Sequence, residues 1–173
     1  MTIHGALVSV RGVGVLLLGS SGAGKSECAL ELISRGHRLV ADDVVELHVS
    51  ESGALLGRSP ERIRHHLEIR GLGILYVPDL YGPDRVLDET GVDLVCRIER
   101  WRAEGDFDRV GLDPDWEELC GVKRPKLLLP ARPGASMATI VEVAALEHRR
   151  RQLGGESAAR RLDTALRRDL EAQ

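Results

Sequence analysis

The segment Gly19-Ser20-Ser21-Gly22-Ala23-Gly24-Lys25-Ser26 matches G-x-x-x-x-G-K-[ST] at every position, and it constrains the chain more than any other feature. Its glycines let the backbone curl until successive N–H groups point inward, a concavity that cradles phosphate oxygens. The segment follows a hydrophobic strand candidate, Val13–Leu18. It precedes a helix expected over Glu27–Arg35, with Ala29, Leu30, Leu32 and Ile33 as its apolar face. Strand, glycine loop and helix in that order bring the positive helix terminus to the bound phosphate. Lys25 is then expected to reach the β and γ phosphates, and the Ser26 hydroxyl to ligate Mg²⁺.

The neighbouring chain extends this unit. Ile3–Val10 is β-rich and Arg11-Gly12 reads as a turn; Gly36 suits a helix end, and Arg38–Ala41 reads as a strand that stops at Asp42-Asp43. Val13 to Asp43 therefore has the length of a βαβ unit. Further along, Val44–Leu56 suggests a hairpin around Glu51-Ser52-Gly53. Glu61–His66 suggests a short helix, and Glu68–Gly73 a loop or turn. Val92–Ile98, Leu127–Leu129 and Thr139–Ala144 are strand candidates. From about Ala145 the composition is helical, with Leu162, Leu166 and Leu170 spaced by four and a break at Gly154-Gly155. Neither an internal repeat nor a linker interrupts the pattern, so one α/β domain over residues 1–173 is expected. Aromatic residues make up only 3% of the chain, so Leu, Val, Ile and Ala must build its core.

Charge and patterning exclude several classes. Twenty-four basic against 27 acidic residues leave a net charge of −3, no general field for nucleic acid. The aliphatic runs are far shorter than the roughly 20 residues of a membrane helix, so no membrane association is expected. Met1–His4 carries no signal-peptide pattern. Three widely spaced cysteines, Cys28, Cys96 and Cys120, suit reduced cytoplasmic thiols better than disulfides or zinc ligands.

What happens to the γ phosphate depends on other residues. A switch GTPase, a kinase and a non-catalytic nucleotide sensor all use such a loop. Asp79-Leu80-Tyr81-Gly82 fits the D-x-x-G pattern of GTPases, but no N-K-x-D accompanies it, so the match reads as accidental. Asp42-Asp43 stands at the carboxyl end of a strand, the edge where open α/β sheets bind ligands. One carboxylate can hold Mg²⁺ or its water and the other can accept a proton from an attacking hydroxyl; the residues alone do not assign which. Glu68 can bind a hard cation and Arg70 can neutralise phosphate charge.

Four segments together resemble the catalytic domain of the HPr kinase/phosphorylase family: His4-Gly5, Gly19–Glu27, Gly36–Asp43 and Leu67–Ile74. Phe107-Asp108-Arg109 and Pro130–Ala135 follow in the expected order. The resemblance implies a P-loop kinase fold with a central mixed sheet, flanking helices and C-terminal helices. It implies an ATP- and Mg²⁺-dependent protein serine kinase acting on an HPr-type phosphocarrier, with phosphorolysis of the phosphoserine by inorganic phosphate, giving pyrophosphate, as the reverse activity. By the same resemblance Asp43 is the proton acceptor with Asp42 beside it, Ser26 and Glu68 surround Mg²⁺, and His4, Lys25 and Arg109 complete the active site. Hexamers are expected from the family, as is a short form or excised catalytic domain, because the His-Gly strand begins so near the start. Many members follow the Gly134 position with Arg-Asn; this chain has Ala135-Ser136. Arg149-Arg150-Arg151 and Arg160-Arg161 read as solvated helix faces, His65-His66 lacks a second ligand pair, and Cys28 reads as a buried small residue.

Overall fold

The computed structural model describes residues 1–101, 107 and 115–171. In chain order the strands and helices are β1 (Thr2–His4), β2 (Ala6–Val10), β3 (Val13–Leu18), α1 (Lys25–Ser34), β4 (Arg38–Ala41), β5 (Val44–Val49) and β6 (Leu55–Arg58). They continue with β7 (His66–Ile69), β8 (Gly73–Tyr76), α2 (Val77–Tyr81), β9 (Glu89–Gly91) and β10 (Leu94–Arg100). The last are β11 (Asp115–Leu119), β12 (Val122–Ala131), α3 (Met137–Gln152) and α4 (Ala158–Glu171).

Every residue of β2 and β3 is buried, Ser9 included, and their near-continuous apolar composition suits strands covered on both faces. They lie inside a six-stranded mixed sheet of order β11-β12-β10-β3-β2-β4. β3, β10 and β12 run parallel, while β2 is antiparallel to both of its neighbours. One face packs on α1 and α3, where Leu32, Ile33, Val141 and Ala145 meet Val8, Val15, Leu17 and Ile98. The other face carries Leu7, Leu16 and Val40 against Val45, Leu47 and Leu55. Those last three belong to a smaller sheet of order β1-β5-β6-β9. The expected βαβ unit is thus opened: α1 crosses from β3 to β4, and β2 slots between them. Because β4 still runs in the direction of β3, both carboxyl ends emerge on one edge, and that edge holds the site.

Several local expectations change. Glu61–His66 is not a helix; a single 3₁₀ turn covers Glu61–Ile63, and His66 already starts β7. The turn expected within Glu68–Gly73 is present but narrower, over residues 70–72, and His66–Ile69 and Gly73–Tyr76 pair around it as an antiparallel hairpin. Thr139–Ala144 is not a strand but lies within α3, and the C-terminal helical region begins at Met137 rather than near Ala145. The β-branched run Thr-Ile-Val-Glu-Val suggests a strand, yet its buried members are Ala138, Val141 and Ala145. That is helical spacing, and it seats the run on α1 and the sheet. Ser136 caps the helix by accepting from the Thr139 N–H at 3.1 Å. The break at Gly154-Gly155 between α3 and α4 and the hairpin around Glu51-Ser52-Gly53 are as expected.

Candidate active site

The loop after β3 begins with a close approach. Gly19 has φ 148°, and a Cβ there would collide with the carbonyl oxygen of Ile98 on β10. Only glycine allows the chain to turn away from the sheet at that point. The turn is held by the Ala23 N–H donating to Ser20 O at 3.1 Å. Gly24, with φ 90°, is the N-cap of α1 and offers no side-chain cap, so the first N–H groups of the helix keep their capacity for an anion. The Lys25 ammonium bridges the loop from within, donating to Gly19 O and Ser20 O at 3.0 Å each.

A cavity of about 590 Å³ opens over this loop, lined by Gly19, Ser21, Gly22, Gly24, Lys25, Ser26 and Glu27 from the loop and helix. Its other walls are His4, Asp42, Asp43, Glu68 and Arg70. Of the residues singled out in sequence, the structure therefore brings His4, Lys25, Ser26, Asp42, Asp43 and Glu68 together. Two of the eight loop residues do not line the cavity. Ala23 packs into the core, and Ser20 lines an adjoining cleft. Arg109 lies outside the described residues.

The adjacent aspartates are split by the backbone. Asp42 is 4% exposed and accepts from Ser26 Oγ at 3.0 Å and from the Glu68 N–H at 3.2 Å. Burial pushes its carboxyl above the usual range, and these hydrogen bonds partly counter the shift. Asp43 adopts φ 63°, a left-handed conformation that Asp tolerates better than most residues. The turn is pinned by Val44 N–H to Asp42 O at 2.8 Å and Gly5 N–H to Asp43 O at 3.1 Å. Its side chain consequently swings into the cavity, 67% exposed, with His4 Nδ1 3.5 Å from Oδ1. One carboxylate is buried as a hydrogen-bond acceptor; the other is exposed in the cavity beside His4.

The hairpin β7–β8 closes the opposite wall. Glu68 on β7 aims a hard oxygen donor at the cavity. Arg70, at the turn, brings Nη1 to 3.8 Å from where a Cβ on Gly22 would sit. Among the described residues no group of three or more His, Cys, Asp or Glu side chains is arranged to hold a metal. Ser26 Oγ and the Glu68 carboxylate nevertheless fit Mg²⁺, which takes one or two protein oxygens and completes its shell with phosphates and water. Glu27, in the first turn of α1, was not foreseen as a lining residue; its place directly after Lys25-Ser26 was the available signal. Asp79 lies on α2 and does not line the cavity, in keeping with an accidental D-x-x-G match.

Removing the buried acceptor has a defined consequence. Asp42→Ala leaves Ser26 Oγ and the Glu68 N–H without their partner, an orphaning that costs about 1–3 kcal/mol for a buried donor. Turnover of the cavity's reaction is expected to fall about 10–100-fold, as it does when a group orienting a metal ligand is lost. An unchanged rate in Asp42→Ala would show that Ser26 needs no orientation.

The family model described as HPr Serine kinase C-terminal domain matches residues 1–165. A Thermoanaerobacter sp. (strain X514) HPr kinase/phosphorylase is 54% identical over 158 residues, covering 91% of this chain and 52% of that protein. HPr kinase/phosphorylase 1 of Oceanobacillus iheyensis is 47% identical over 167 residues, covering 95% of this chain and 54% of its own length. The chain thus spans about half the length of the curated relatives it matches. The solved Hpr(Ser) kinase/phosphatase from Coxiella burnetii superposes with a TM-score of 0.81 at 33% identity, over 89% of this chain and 93% of that one.

Proposed function

The chain belongs to the HPr serine kinase C-terminal domain family, and from that premise we propose that it is the catalytic unit of an ATP-dependent protein serine kinase acting on an HPr-type phosphocarrier, able also to run the phosphorolytic reverse reaction. The observation that carries the reading is the exposed Asp43 carboxylate in the same cavity as an intact phosphate-binding loop. A nucleotide sensor has no use for such a base.

In the forward direction the phosphate chain of ATP lies along the loop N–H groups and the N-terminus of α1. Lys25 exchanges its loop carbonyls for phosphate oxygens, and Arg70 takes part of the developing charge from the hairpin side. Asp43 accepts the proton of the serine hydroxyl as that oxygen attacks the γ phosphorus, and ADP leaves. His4, beside Asp43, helps to hold the proton. Ser26, oriented by Asp42, and Glu68 are the residues that would hold Mg²⁺, which when bound neutralises charge on the β and γ phosphates. In reverse, a phosphate oxygen attacks phosphoserine, the serine P–O bond breaks, pyrophosphate forms and Asp43 returns the proton to the serine oxygen.

Incubation with γ-labelled ATP, Mg²⁺ and an HPr-type carrier tests the reading. Label on a carrier serine, released as labelled pyrophosphate by excess phosphate, is expected. Tight ATP binding with no labelled serine would sink the HPr assignment and leave another acceptor or a sensor.

A further inference from the structure

We propose that the nucleoside part of the bound nucleotide lies across the carboxyl ends of β10 and β12, with its base stacked on Trp101. This rests on the nucleotide reading above and adds to it the seat of the base. The direction follows from the sheet order. The γ end of the nucleotide must meet Asp43, at the end of β4, and the loop that grips the phosphates stands at the end of β3. β10 is the neighbour of β3 on the side away from β4. A phosphate chain anchored at the loop and reaching Asp43 with its γ end therefore directs its α end over β10.

There the structure provides a place. A second cleft of about 270 Å³ adjoins the loop, lined by Gly19, Ser20, Arg97, Ile98, Glu99 and Arg100. It shares Gly19 with the phosphate cavity, so the two spaces adjoin at the start of the loop. Arg97 is held on the floor by Glu117 at 3.0 Å. Glu99 offers carboxylate acceptors for sugar hydroxyls. Immediately beyond, Trp101 follows β10, its N–H donating to Ala131 O at 3.4 Å, so its position is tied to the end of β12. Its indole is 45% exposed, a large apolar face to leave in water beside a polar cleft. The Arg132 guanidinium carbon stands over one face of the ring, 5.9 Å from its centroid, so the opposite face is the one a base would stack on. A planar base suits that face: it covers the indole by stacking.

Equilibrium binding of two probes tests the proposal: ATP, which has a base, and inorganic tripolyphosphate, which does not. Trp101→Ala is expected to raise the Kd for ATP about tenfold, equivalent to ~1.4 kcal/mol and within the range of base–aromatic stacking, while the Kd for tripolyphosphate stays put. Trp101→Phe should keep most of the ATP affinity, because a ring remains. GTP should weaken in Trp101→Ala by the same factor, since stacking tolerates any base. An unchanged ATP Kd in Trp101→Ala, or an equal loss for ATP and tripolyphosphate, would overturn the seat of the base and leave the phosphate site standing. Failure of the unmodified protein to bind either probe would overturn the nucleotide reading itself, and this inference with it.

Discussion

Asp43→Asn is expected to lower the proposed phosphoryl transfer to an HPr-type carrier by about 10²–10⁴-fold, the share that a positioned general base contributes, and to leave the Kd for ATP nearly unchanged. The substitution is close to isosteric, and Asn tolerates the φ of 63° at this position as readily as Asp does. The turn held by Gly5 and Val44 therefore survives, and what is lost is the capacity to take a proton. Phosphorolysis should fall by a similar factor, because the same oxygen hands that proton back. Single-turnover transfer rates with ATP saturating separate this from a binding defect. A variant that still phosphorylates serine at the original rate would place the base elsewhere and remove the main support for the proposed chemistry.

The second large effect is on stability and lies far from the chemistry. Gly14→Ala places a methyl group where the carbonyl oxygen of Gly91 already sits, and 3.2 Å from Thr90 Cγ2. The crossing cannot open easily, because Gly14 N–H donates to Asp93 Oδ2 at 2.8 Å and Asp93 N–H returns a bond to Gly14 O at 2.8 Å. Overpacking against a side chain costs about 1–3 kcal/mol. Here the obstacle is backbone, so a loss of about 3 kcal/mol or more is expected, about 6–12 °C in Tm for a chain of this size. Thermal or urea unfolding followed by far-UV circular dichroism reads it out. A midpoint equal to that of the unsubstituted protein would mean that the two sheets part at β3 and β9 without cost.

The loop Gly19–Ser26 was legible in the sequence because its function needs particular residues at fixed offsets, and such a pattern survives without any knowledge of the fold. Strands β2, β3 and β4 and helix α1 were legible because their burial comes from local periodicity. The run Thr139–Ala144 was misleading for the complementary reason. Its β-branched residues fit a strand by propensity, and only the packing of Ala138, Val141 and Ala145 on α1 and the sheet makes it helical. Trp101 stands out by nothing in the residues around it, because nothing local says that the end of β10 stands next to the phosphate loop.

The aspartate pair marks the division most clearly. The sequence by itself determined that a phosphate-gripping loop, a hard-oxygen cluster and two adjacent carboxylates would be present, since these are properties of residue type and short spacing. Only the family resemblance gave Asp43 the proton-accepting role; residue type alone did not say which carboxylate is buried and which is exposed. That was decided by the insertion of β2 between β3 and β4, whose neighbouring Gly5 N–H binds the Asp43 carbonyl while Asp42 turns inward to Ser26 and Glu68. Burial and hydrogen-bond partners are set by chain segments far apart in sequence, and they bury one aspartate against Ser26 and Glu68 and leave the other exposed in the cavity.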